Sequence, residues 1–341
     1  MPPERQAVPG PPPAARIQQL SSGYQISRAL YLIAQFGIAD LLKDGPKSAD
    51  ALATARQINA DALYRVMRAL ASLGVFAEIG PREFALTPVS ETLRSDVPGS
   101  LRALVLLQVD DRHWDVYKEL GHSLRTGEPA FDHVFRQRLT DYLRQHPEEL
   151  QKADRAMAAF SAGSGAAIAE AYDFSVFRTI MDVGGGNGTL LSFILKRHVG
   201  PRGILFDLAQ TIEHARHDAL LPADRSELVV GDFFETVPAG ADAYVLKNVI
   251  HDWQDDRARR ILQNCRRAMT NAGKLLLVEL LIPPDSSPDF SKFLDIEMLV
   301  TAGGRERTEN EFRQLLASAG FRLDGVRRTQ SPLWILEASP V

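Results

Sequence analysis

Two hydrophobic periods divide the chain. From Ile17 to Leu42 the apolar positions Leu20, Tyr24, Ile26, Leu30, Ile33, Ala34 and Leu41 recur mostly at the spacing of one helical face. A second helical set runs from Ala49 to Ala53, a third starts at Asp61 with ALYRVMRALASLG, and VFAEIGPREFALT reads as two short strands about a Gly-Pro turn. Helices followed by such a hairpin predict a winged helix. Ser100 to Tyr172 returns to helical spacing, with Trp114, Phe131, Phe135, Met157 and Phe160 as its large apolar residues. Beyond it the pattern changes. Apolar runs at Thr179 to Val183, Gly203 to Phe206, Glu227 to Val230, Ala241 to Leu246 and Lys274 to Val278 alternate with helical stretches such as Thr189 to Arg197, Arg257 to Met269 and Glu309 to Ala319. Strands alternating with helices predict an α/β domain built on a parallel sheet.

The ends of these strands carry the chemistry. The first runs into Gly184-Gly185-Gly186-Asn187-Gly188, where glycine tolerates positive φ and lets a ligand approach the backbone, ahead of a helix that offers unpaired N–H groups. The loop fits a nucleotide-type cofactor. Ligands bind at the C-terminal edge of an open α/β sheet, so Asp182, Asp207, Asp232 and Lys247, each at or just past a strand end, should converge there. Asp207 lies about 20 residues past the glycine turn, the distance suited to an acid that accepts from both hydroxyls of a ribose. Asp232 is placed to accept from an adenine amino group, with Phe233 against the ring. The dinucleotide fingerprint is absent, since Thr189 stands where its third glycine would. A carboxylate at Asp182 would repel a pyrophosphate but suits a cofactor tail bearing an ammonium beside a carboxylate. S-adenosylmethionine (SAM) has such a tail.

The motifs, in order, resemble the class I SAM-dependent methyltransferases, and more narrowly the small-molecule O-methyltransferases of plant caffeate and bacterial polyketide type. The likeness rests on MDVGGGNG, FDL at Phe206 to Leu208, GDFF at Gly231, LKNVIHDW at Leu246, VELLIP at Val278 and GGRERTENEF at Gly303. LRTGEPAF at Leu124 and ADRAMAAF at Ala153 extend it to nearly everything after the proline-rich start. It implies a seven-stranded Rossmann-like methyltransferase domain ending in an antiparallel pair, Phe321 to Thr329 and Leu333 to Ala338, behind an N-terminal helical and winged-helix domain that forms an intertwined homodimer. The expected division is a disordered proline-rich tail over 1–14, a dimerisation domain over 15–100, a helical linker and substrate-pocket region over 101–172 and a SAM-binding domain over 173–341.

Methyl transfer from a sulfonium to a phenol requires a base, because a phenol with a pKa near 10 is mostly protonated at neutral pH. Of eight histidines, His251 alone follows a strand into the cofactor edge, and imidazole can take the phenolic proton. A carboxylate on its far nitrogen would fix the tautomer and stabilise the imidazolium. The resemblance assigns that flanking role to Glu279 and Glu306, favours Met157 and Phe160 as pocket lining, and matches Met298 to a position beside the acceptor ring. It also makes the acceptor a phenolic or polyketide-like hydroxyl. Asn248 is placed to hydrogen-bond acceptor or cofactor, Leu208 to lie beside the cofactor, and Trp253 to cover the adenosyl group.

Composition excludes other classes. A net charge of −4 lacks the basic footprint of a nucleic-acid binder, and the third helix of the winged-helix pattern offers only Arg65 and Arg68 as basic residues, so a DNA-binding regulator is the weaker alternative. No run approaches the roughly 18 apolar residues of a membrane span, and the start lacks the apolar core of a secretory signal, which predicts a cytoplasmic protein. The single cysteine, Cys265, falls within a helical pattern and predicts a buried, neutral role. Asp252, Asp255 and Asp256 beside His251 offer donors for a hard cation, but Asp255 and Asp256 fall where a helix begins and answer its dipole, so no metal is expected. His214 and His217 lie three apart on a helix with no third ligand in view. A further alternative keeps the fold and the cofactor but performs hydroxylation, decarboxylation or cyclisation.

Overall fold

The computed structural model describes residues 12–341, apart from the side chains of residues 158–162. It divides into two compact units, one ending at Asp111 and one spanning Arg112–Val341. In the first, the helix Pro13–Ser21 takes in two residues of the stretch expected to be disordered. Pro13 fits there because its missing N–H falls among helix-start donors that have no partner in any case. Residues 1–11 of that expected tail lie outside the described residues.

Helices Gly23–Gln35, Ala49–Arg56 and Ala60–Ala71 pack with the strands β1 (Lys47–Ser48), β2 (Phe76–Gly80) and β3 (Glu83–Leu86), which pair antiparallel in the order β1-β3-β2. Ser48 and Asn59 start two of these helices by accepting from the backbone N–H groups of Ala51 and Ala62. Ile33, Ile38, Leu52, Met67, Phe76 and Phe84 form the core. Outside it, Ile17, Leu20, Tyr24 and Ile26 remain exposed, apolar surface that water disfavours. Arg82 pairs with Asp50 and Asp61, so acids offset charge beside the helix that carries Arg65 and Arg68.

The second unit holds seven further strands: β4 (Thr179–Val183), β5 (Arg202–Asp207), β6 (Ser226–Val230), β7 (Ala243–Lys247), β8 (Lys274–Glu279), β9 (Phe321–Arg328) and β10 (Trp334–Pro340). They lie in the order β6-β5-β4-β7-β8-β10-β9, parallel from β6 to β8 and antiparallel for β10 and β9. Successive residues feed opposite faces: Met181, Tyr244 and Leu275 join one core, and Ile180, Val245 and Leu276 the other. Strand order reverses at β4, between β5 and β7, which opens the ligand crevice of such sheets beyond the carboxyl ends of those strands. β7 begins two residues later than the apolar run suggests. Asp242 turns back to accept from the Arg178 and Thr179 N–H groups instead. Cys265 is buried among apolar side chains, which pushes its thiol up to about 12. Among the described residues no helix is long and apolar enough to cross a membrane.

Candidate active site

Backbone geometry shapes the glycine loop. Gly184 and Gly186 have φ of +69° and +61°, and a Cβ on Gly184 would come within 3.0 Å of Val249 and 3.3 Å of the Phe233 ring. The loop after β4 therefore meets residues that follow β6 and β7. Asp207, at the end of β5, accepts from Gly186 N at 2.9 Å and from Leu208 N at 2.7 Å, which ties the loop to the neighbouring strand. Burial raises the Asp207 pKa, and those N–H groups oppose the shift. Leu208 is half-exposed.

Asp182 is buried, and its Oδ2 has no hydrogen-bond partner. Burial pushes its carboxyl up to about 7; Lys247 opposes the shift and Asp207 adds to it. Burial in turn lowers the Lys247 ammonium. A buried acid with one unpartnered oxygen beside a positive-φ glycine turn fits the cationic end of a ligand. Asp232 accepts from Phe234 N at 2.7 Å. Phe233, Phe234 and Trp253 meet edge to face, and the Arg257 guanidinium lies 4.5 Å over both Phe234 and Trp253. Trp253 thus packs chiefly on Phe234 and Arg257, while Phe233 borders the loop.

The second half of the site follows β7. Asn248 takes the left-handed conformation, φ +52°, and its N–H still reaches Val278 O at 3.1 Å, so the chain leaves the sheet only beyond it. The short 3₁₀ helix Ile250–Asp252 then carries His251, whose side chain is 12% exposed. Its Nδ1 lies 2.6 Å from Glu306 Oε1, and its Nε2 lies 3.5 Å from Asp252 Oδ1. Burial works against the charged ring, but Asp252, the Glu306 hydrogen bond and Glu279 outweigh it and push the imidazole up to about 10.

The two glutamates sit differently. Glu306 contacts the ring, whereas Glu279 Oε1 accepts from the backbone N–H groups of Val249 (3.2 Å) and Ile250 (2.9 Å). Glu279 is wholly buried, which pushes its carboxyl up to about 7 against the pull of His251. It anchors the turn that presents the imidazole and does not touch the imidazole itself.

Glu306 depends on a close backbone approach. Arg305 N donates to His251 O at 2.8 Å, and a Cβ on Gly304 would stand 2.0 Å from that oxygen. Only glycine fits there. Asp295, on the helix Ser291–Val300, accepts from Glu306 N at 2.8 Å. Gly304 and Asp295 escape sequence reasoning, since a glycine has no side chain to read and Asp295 lies within a helical pattern away from the strand ends; the adjoining glycines of GGRERT were the only available signal.

Met157 is 46% exposed, Met298 is half-buried with its carbonyl accepting from Gly303 N, and the Phe160 side chain lies outside the described residues. His214 and His217 are exposed and face Asp154 and Asp218 at 3.9 Å. Among the described residues no cluster of three or more potential metal ligands occurs.

The O-methyltransferase domain family matches residues 117–322, and the O-methyltransferase dimerisation domain matches residues 18–96. The chain belongs to the SAM-dependent O-methyltransferase family. It is 42% identical to a phenazine O-methyltransferase of Lysobacter antibioticus over 97% of both chains. It is also 34% identical to an 8-amino-8-demethylriboflavin N,N-dimethyltransferase of Streptomyces davaonensis, over 92% of this chain and 91% of that one. Among solved structures, it resembles an O-methyltransferase from neocarzinostatin biosynthesis in complex with SAM and 2-hydroxy-5-methyl naphthoic acid. The TM-score is 0.77 and the identity 31%, over 92% of this chain and 96% of that one. This methyltransferase uses SAM as its cofactor, and its fold is the Rossmann-like methyltransferase domain with an N-terminal dimerisation domain.

Proposed function

We propose that the protein methylates a hydroxyl of a small aromatic acceptor, phenolic or polyketide-like, with His251 as general base. The observation that carries this reading is the 2.6 Å contact between His251 Nδ1 and Glu306, which commits one ring nitrogen and makes Nε2, 3.5 Å from Asp252 Oδ1, the group that would take a proton. Bound SAM supplies an electrophilic methyl group on a sulfonium, so the protein must orient the acceptor and remove its proton. Asp182 pairs with the cofactor ammonium, Asp207 with the ribose hydroxyls and Asp232 with the adenine amino group. Gly184 and Gly186 let the ligand approach the backbone. Phe233 packs on the adenine; Leu208, Lys247 and Trp253 complete the cofactor surround. Asn248, Met298 and Met157 belong to the acceptor side.

Two titrations follow. Below about 7 the free protein holds Asp182 protonated, and an ammonium beside it favours the carboxylate. SAM binding at pH 6 should therefore release a proton, and affinity should rise with pH before levelling above 7. Calorimetry in buffers of different ionisation heat reads this directly; binding without proton release would remove Asp182 from the ammonium. His251 must be neutral to accept a proton, and its free-enzyme value of about 10 means that kcat/KM for the acceptor should climb with pH from neutrality. The sulfonium charge repels an imidazolium, so at saturating SAM the climb should end below 10. A rate independent of pH between 6 and 9 would count against His251 as base.

Mass spectrometry of products from matched hydroxy- and aminoarenes tests the acceptor. Gain of one methylene on the hydroxyl compound supports this reading. Methylation confined to the amine would overturn it, and so would conversion with SAM left intact. The exposed face of Ile17, Leu20, Tyr24 and Ile26 supports a homodimer built through the N-terminal unit.

A further inference from the structure

Arg307 is 1% exposed and among the largest fully buried side chains of the protein. A buried guanidinium is costly unless its donors are met and its charge is offset. Here both conditions hold. Nη1 donates to Ile250 O at 3.2 Å and to Arg305 O at 3.3 Å. Nη2 donates to Trp253 O and to Asp255 Oδ1, both at 2.8 Å, and Nε reaches the same carboxylate oxygen at 3.1 Å. Its backbone is fixed as well, because Arg307 O accepts from Ile282 N at 3.0 Å and Thr308 caps the helix Glu309–Ser318.

The pattern of acceptors matters more than their number. Ile250 and Trp253 bracket His251 and Asp252, so the guanidinium grips both ends of the turn that carries the imidazole. Arg305 immediately precedes Glu306, so the same side chain also grips the loop that carries the imidazole's carboxylate partner. We propose that Arg307 is a positioning residue for the methyl-transfer reaction: its fork fixes His251 and Glu306 relative to each other, with Asp255 as its counter-charge. The inference rests on the reading of His251 as general base. A lysine cannot replace it, because a single ammonium cannot span three carbonyls and a carboxylate in fixed directions.

Arg307→Lys and Arg307→Met test the assignment, with kcat expressed per SAM-binding site so that misfolded protein does not count. Expected is a fall in kcat of about ten- to a hundredfold, the cost of misplacing a catalytic group by roughly 1 Å, with SAM affinity unchanged. Asp255→Asn, at the half-exposed end of the fork, should give a smaller fall in the same direction and reports on the fork even if both Arg307 variants fail to fold. Because Arg307 acts through the His251–Glu306 contact, combining Arg307→Lys with Glu306→Gln should cost little more than the worse single change. Multiplying losses, wild-type kcat in the Arg307 variants, or an unchanged Asp255→Asn would each overturn the proposal. His251→Ala separates the two ideas: full turnover without the imidazole refutes the base, whereas a dead His251→Ala beside a fully active Arg307→Lys refutes only the positioning role.

Discussion

Alanine in place of His251 is expected to lower kcat by about 10²- to 10⁴-fold, the range that a positioned general base contributes, while SAM affinity does not fall. The imidazole pairs with Glu306 and Asp252, so its removal should leave the cofactor half intact. Single-turnover methyl transfer from labelled SAM measures the first quantity and calorimetry the second. Equal losses in both would mean that His251 holds the site together and does no proton transfer. Glu306→Gln should lie between wild type and His251→Ala. An amide can still hydrogen-bond Nδ1 but cannot offset the charge of the imidazolium that forms.

The second large effect belongs to the cofactor half. Asp207→Ala should weaken SAM binding by about 30-fold or more, because truncating one partner of a buried, charge-assisted set costs about 2–5 kcal/mol. Two losses would combine: the ribose hydroxyls would lose the acceptor proposed for them, and Gly186 N and Leu208 N would lose the carboxylate that holds the loop to β5. Once SAM is saturating, kcat should recover most of its wild-type value, the reverse of the His251 result. An unchanged dissociation constant would move the ribose elsewhere.

These two variants fall on either side of what could be read from the chain alone. The proposed cofactor half could be drawn from the chain because its residues are sequence-local: each acid stands at or just past the end of an apolar run, and a parallel sheet carries every such end to one edge. Even there, Asp182 was identified only as a carboxylate; its raised pKa comes from the burial that two packed layers impose. The proposed catalytic half is assembled across more than fifty residues of chain, from His251 to Glu306. Periodicity carries no information over that span. Glu279 and Glu306 were therefore equivalent by sequence, and only packing sent one to the imidazole and the other to the backbone beneath it. Within the same loop folding buries Arg307 and leaves Arg305 partly exposed.

By itself the sequence determined the alternation of strands and helices, the glycine loop, the acids at the strand ends and the histidine beyond β7, because all of these follow from local spacing and residue chemistry. Tertiary structure alone decided which carboxylate holds that histidine, that Gly304 must lack a side chain, and that one buried guanidinium ties two distant loops together. The physical reason is that hydrogen-bond partners and steric limits are properties of neighbours in space, and a chain acquires those neighbours only when it folds.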